Sequence, residues 1–109
     1  MRVEHEFDHE GLEVYRLALE VSHWLYVAEF PRGASWIRDQ AQRSVGSVVL
    51  NIAEGRARPN DGARRNHYRI ALGSAAEACA ALDIVPIPNA TSNQTKLRRI
   101  GAMLARLAR

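Results

Sequence analysis

The 109-residue sequence contains one cysteine, Cys79, and one lysine, Lys96. A lone cysteine excludes an intramolecular disulfide and any Cys-based zinc cluster, so nothing argues for a secreted cross-linked scaffold and a reducing cytoplasm is the default. No apolar run approaches the roughly 20 residues that span a bilayer, and the first ten residues, MRVEHEFDHE, are polar and acidic, unlike a signal peptide. These absences predict a soluble, cytoplasmic protein with no membrane partner. Also missing are a phosphate-cradling glycine-rich motif, a serine nucleophile elbow and a Cys/His dyad with a local signature. No catalytic residue and no cofactor are therefore expected.

With 47% hydrophobic and 25% charged residues, the chain has the composition of a globular protein. Its length suits one small domain. Charge is divided along it: residues 1–29 hold seven acids against two bases, −5, whereas residues 30–109 hold thirteen bases against five acids, +8. Fourteen of the fifteen bases are arginine, which grips phosphate and carboxylate through a planar fork. Two readings follow: a basic surface for nucleic acid, or an acidic segment of one subunit docking on the basic surface of the next.

Helix breakers divide the chain into four helical segments after a flexible acidic arm at residues 1–10. The first helix spans about Gly11 to Glu29 and stops at FPRGAS, where Ser35 can cap the second. The second runs from Trp36 to about Glu54, with Gly55 placed as a left-handed C-terminal cap. Pro59 forces a loop, Asn60 or Asp61 caps a third helix over about Gly62 to Ile84, and VPIPNATSN is a loop leading to a cap at Ser92 or Asn93 and a fourth helix ending near Leu107. Val45 to Ile52 is rich in β-branched residues, but its length and flanking caps favour helix over strand. The expected fold is all-α, a four-helix bundle over residues 11–109.

Two stripes on the first helix carry apolar residues, the second of them Val14, Leu17, Val21, Trp24 and Ala28. Such a helix is apolar around more than one face of a monomeric bundle can cover, so Val14, Leu17, Val21 and Trp24 are candidates for an oligomer interface. The third helix, rich in alanine, is either a tightly buried central helix or a second contributor to self-association. On helix two, Arg43, Ser47, Asn51 and Glu54 form a polar line at steps of four, four and three. With Ser74 and Glu77 of helix three, the set Arg43, Asn51, Glu54, Ser74 and Glu77 reads as a structural polar network, because a buried carboxylate must be paired. The sharper alternative, a paired-carboxylate catalytic or metal site, has no accompanying histidine pattern.

The stretches LEVYRLALEVSHWLY, RSVGSVVLNIAEG, YRIALGSAAEACAAL and IGAMLARL together resemble, in order and spacing, the four-helix-bundle proteins encoded by intervening sequences of bacterial 23S ribosomal RNA genes. The resemblance covers nearly the whole chain. It carries Asn51, Glu54 and Gly55 from the first motif and Gly73, Ser74 and Glu77 from the second. It implies an antiparallel up-and-down four-helix bundle assembled as a homopentamer. More distantly it is similar to the accessory variability determinants of diversity-generating retroelements, basic pentameric barrels that bind nucleic acid and a reverse transcriptase. Two departures stand out: His67 occupies an expected apolar position, and the connection DIVPIPNATSN is shorter than the usual link.

A di-iron bundle needs Glu-x-x-His on two helices, and only Glu20 and His23 supply one such spacing. His5 and His9 precede the first helix and read as part of the solvated arm. Arginine clustering carries more weight. Arg56, Arg58, Arg64 and Arg65 crowd the turn between helices two and three, and Arg98 and Arg99 stand on helix four with Lys96, Arg106 and Arg109. The alternative is an ordinary charged surface. With no recognition helix and no aromatic stacking motif, contact with RNA or DNA would run through phosphates and be poorly sequence-specific. The expectation is a non-enzymatic, nucleic-acid-binding homo-oligomer, with a protein-protein adaptor as the alternative.

Overall fold

The first helix ends two residues before the expected Glu29, ahead of Pro31 and Gly33. In the computed structural model, which describes residues 6–109, α1 spans Glu13–Val27, α2 Ser35–Ala57, α3 Asp61–Ile84 and α4 Ala90–Leu107. No strand occurs among the described residues. A single 3-10 turn, Asp8–Gly11, precedes α1 and packs against α2. Residues 1–5 of the expected acidic arm, with His5, lie outside the described residues.

α1 starts at Glu13 rather than Gly11, and the caps at both ends of α2 and at the start of α4 differ from expectation. Ser35 is the first residue of α2, and Ala34 holds the N-cap position, its carbonyl accepting from the amides of Ile37 and Arg38. The chain reaches it through Gly33, whose φ of +88° suits a residue without a Cβ. At the far end of α2, Gly55 is no left-handed cap: the helix runs through it to Ala57. Glycine is needed there for a different reason. A Cβ would approach His67 Cβ and Tyr68 Cε1 at 3.0 Å, so Gly55 is where α3 closes on α2. At α4, the N-cap is Asn89 in the left-handed region, φ 67°, which asparagine tolerates better than most residues. Ser92 Oγ and Asn93 Nδ2, expected as caps, instead donate to the Asn89 carbonyl from inside the first turn. For α3 the cap is Asn60, whose Oδ1 accepts from the Ala63 amide at 3.0 Å, one of the two residues anticipated.

The core joins all four helices. Val14, Leu17, Val21 and Leu25 of α1 meet Ile37, Val45, Val48 and Ile52 of α2, Tyr68, Ala71, Ala75 and Ala78 of α3, and Leu97, Ile100 and Leu104 of α4. The assignment of Val14, Leu17 and Val21 to an oligomer interface is therefore corrected. They are 3%, 7% and 0% exposed within one chain and cannot meet another. Trp24, the fourth member, is half-buried against the same core. Both α2 and α4 pack on α1, so its two apolar stripes are largely covered within one chain. The large apolar side chains left exposed include Trp36 and Leu50 of α2 and Ile70 and Ile84 of α3.

The longest seam lies between α2 and α3, and the small side chains of α3 permit it. Gln40 bonds Glu77, Ser47 bonds Ser74 and Asn51 bonds His67, so the partner position falls along α3 as the position on α2 rises. On the other side of α3, buried Gln94 of α4 donates to the Cys79 carbonyl at 3.0 Å and to Asp83 Oδ1 at 2.7 Å.

Candidate nucleic-acid interface

The α2–α3 turn is built upward from a polar ladder. Ser47 Oγ lies 2.9 Å from Ser74 Oγ. The Asn51 amide donates to the Ser47 carbonyl at 2.9 Å and to Ser47 Oγ at 3.1 Å. Its Oδ1 then remains as the acceptor for His67 Nδ1 at 3.0 Å, so that ring nitrogen carries the proton. Glu54 Oε2 lies 3.6 Å from the same nitrogen and 3.9 Å from Arg58 Nη2. Asn51, Glu54 and Ser74 thus belong to one connected set, as anticipated, with Ser47 and His67 as links.

Two members of the expected network stand apart from it. Arg43 is exposed and makes no hydrogen bond or ion pair among the described residues. Glu77 is exposed as well; it accepts from Gln40 Nε2 at 2.7 Å and does not reach the ladder. Neither Glu54 nor Glu77 is a buried carboxylate, so the premise that burial demands pairing does not apply to them. No group of three or more His, Cys, Asp or Glu side chains comes together among the described residues. Glu20 instead faces Lys96 of α4.

Directly beyond the ladder come the arginines. Arg64 donates from Nε at 3.2 Å and from Nη2 at 2.8 Å to the carbonyl of Arg58, closing the turn with a two-pronged contact. Arg58 itself lies beside Glu54, and Arg65 is half-buried with no carboxylate partner among the described residues. Arg56 is also half-buried, with Nε shielded from solvent and unpaired. The four side chains expected to act alike therefore differ: Arg64 holds the loop, Arg58 is exposed beside Glu54, and Arg56 and Arg65 are half-buried.

On α4 the structure separates the candidates further. Arg99 Nη2 lies 3.3 Å from Glu13 Oε1 and Lys96 Nζ 3.4 Å from Glu20 Oε1, both acids belonging to α1. Arg98 has no such partner among the described residues and borders a recess shared with α3. Arg98 and Arg99 thus face different surroundings. Near the helix end, Arg69 of α3 donates to the Ala108 carbonyl at 3.2 Å, bringing the start of α3 to the end of α4.

Sequence reasoning missed His67, Gln40 and the part played by Gly55. His67 was marked only as a departure from an apolar position; its spacing of sixteen residues from Asn51 crosses a loop and leaves no periodic signal. A family model described as 23S rRNA-intervening sequence protein matches residues 10–107. No curated protein matches the chain.

Proposed function

The chain belongs to the 23S rRNA-intervening sequence protein family, and from that premise we propose that it is a non-enzymatic, homo-oligomeric scaffold that binds RNA or DNA through arginine–phosphate contacts. The observation that carries this reading is the α2–α3 turn. Arg64 fixes the loop through its two bonds to the Arg58 carbonyl, so that exposed Arg58 and half-buried Arg65 stand on a braced support. Ordering side chains before binding lowers the entropy lost on contact, and repetition of the turn around an oligomer multiplies the phosphate contacts.

In this reading the four helices run antiparallel, up and down; for the α2–α3 pair the falling register of the Gln40–Glu77, Ser47–Ser74 and Asn51–His67 bonds supports it. Self-association, as a homopentamer, uses the exposed apolar residues Trp36, Leu50, Ile70 and Ile84, which are 45 to 65% exposed, in place of the buried residues of α1. A reverse transcriptase is a candidate partner through the more distant resemblance alone.

The test is binding of a mixed-sequence RNA oligonucleotide at several salt concentrations, with mass measured by light scattering. Wild-type protein is expected to form a ring-sized oligomer that gains mass with RNA at low salt. Arg58→Glu with Arg65→Glu should lower affinity at least tenfold and leave the oligomer unchanged. Retained affinity in that variant would remove the turn from the interface. An intact oligomer that ignores RNA at low salt would replace this reading with the protein-protein adaptor.

A further inference from the structure

The groove between α3 and α4 is a second kind of surface. Its floor is a recess of about 370 Å³ formed by Leu72, Ala76, Cys79 and Ala80 of α3 with Leu97 and Gly101 of α4. The face of α3 that supplies Leu72 and Ala76 continues, at helical steps of three and four, to Arg69 and Arg65. Across the groove Arg98 borders the recess from α4. None of these three arginines lies in an ion pair with a carboxylate among the described residues, in contrast to Arg99 and Lys96 on the other side of α4. At the opposite end of the groove stands Asp83, whose Oδ1 already accepts from Gln94.

We propose that this groove docks an acidic amphipathic helix of a partner protein, apolar side chains entering the recess and carboxylates meeting Arg65, Arg69 and Arg98. Charge complementarity selects the flanks. The floor selects the class of partner: alanines and a glycine leave room for branched aliphatic side chains and let a helix backbone approach closely, the arrangement of helix-in-groove recognition. No aromatic side chain lines the recess, so a nucleic-acid strand would find no stacking plane there. Asp83 sets polarity, because the end of the guest beside it must be free of acids. This surface shares Arg65 with the α2–α3 turn, but the recess and Arg98 belong to it alone, so substitutions at Ala76 and Arg98 test it without altering the turn.

The probe is a fluorescent peptide as long as α4, 18 residues, with leucine at the first, fourth and fifth positions of each heptad and glutamate flanking them toward one end. Its controls are a scrambled peptide of the same composition and a mixed-sequence RNA oligonucleotide. Anisotropy titration is expected to show at least tenfold tighter binding of the amphipathic peptide than of the scramble. Ala76→Trp, which fills the recess, and Arg98→Glu, which reverses its rim, should each cost at least tenfold. A peptide with lysine in place of the glutamates should favour Arg98→Glu over wild type. Because Ala76 and Arg98 are both exposed, circular dichroism should show unchanged helix in both, and Arg98→Glu with the lysine peptide keeps the test decisive if Ala76→Trp unfolds. Equal binding of peptide and scramble, or insensitivity to Arg98→Glu, overturns the proposal. So does RNA that competes with the peptide and loses affinity through the same two substitutions, which would make the groove a nucleic-acid site.

Discussion

The arginines of the α2–α3 turn and the basic residues of α4 are similarly dense along the chain, but they rest on different foundations. Behind the turn stand a buried ring and a tight backbone contact. Tyr68 is 1% exposed and packs against Gly55, and Arg64 ties the loop to itself. Behind Lys96 and Arg99 stand two surface ion pairs to α1, with Glu20 and Glu13 side chains 59% and 72% exposed. The first arrangement holds its shape through packing, and the Arg58 side chain there meets only Glu54 of its own helix end among the described residues, at 3.9 Å. The second faces its charges toward the acids of α1. Density of like charge in a sequence is thus a poor guide to which charges a partner can use.

This contrast can be broken by substitution. Tyr68→Ala should be the most damaging change, destabilising by about 3–5 kcal/mol as large-to-small core replacements of aromatics do, read in urea unfolding. Gly55→Ala comes next. Alanine gains about 1 kcal/mol of helix propensity, but its Cβ meets His67 and Tyr68 at 3.0 Å, and overpacking of this kind costs about 1–3 kcal/mol. The expected outcome is a net loss, seen as a lower Tm, and a rise in Tm would show that α3 yields at this point. Arg64→Ala should cost about 1 kcal/mol, the scale of a hydrogen-bonded brace, and should also increase amide exchange in the loop near Arg58. Arg99→Ala should be smallest, within about 0.5 kcal/mol as for exposed ion pairs. If Arg99→Ala proved as costly as Tyr68→Ala, the distinction between a packed and an ion-paired foundation would fail.

Much of the architecture was legible in the chain. Pro31, Gly33, Pro59 and the prolines near residue 87 mark the connections, and the apolar spacing marks four helices, because breakers and periodicity are local properties. What failed was what depends on a neighbouring helix. Gly55 looks like a cap because glycine ends many helices; only the approach of Tyr68 reveals it as a packing point. Val14, Leu17 and Val21 look surplus until α2 and α4 are placed around them. Ser47, Asn51 and Glu54 read as one polar line along α2, whereas Ser74 and His67 join it only across the α2–α3 seam. Arg98 and Arg99 are adjacent in sequence, and their separation onto two sides of α4 sets one beside a groove and the other beside Glu13.

The most direct measurement is the salt dependence of RNA affinity for wild type, for Arg58→Glu with Arg65→Glu, and for Arg99→Ala. Each phosphate contact to a single strand contributes about 0.7 to the slope of log affinity against log salt. The account predicts a shallower slope and weaker binding for the turn variant, with Arg99→Ala indistinguishable from wild type. Equal slopes for wild type and the turn variant would contradict the assignment of nucleic-acid contact to the braced α2–α3 turn.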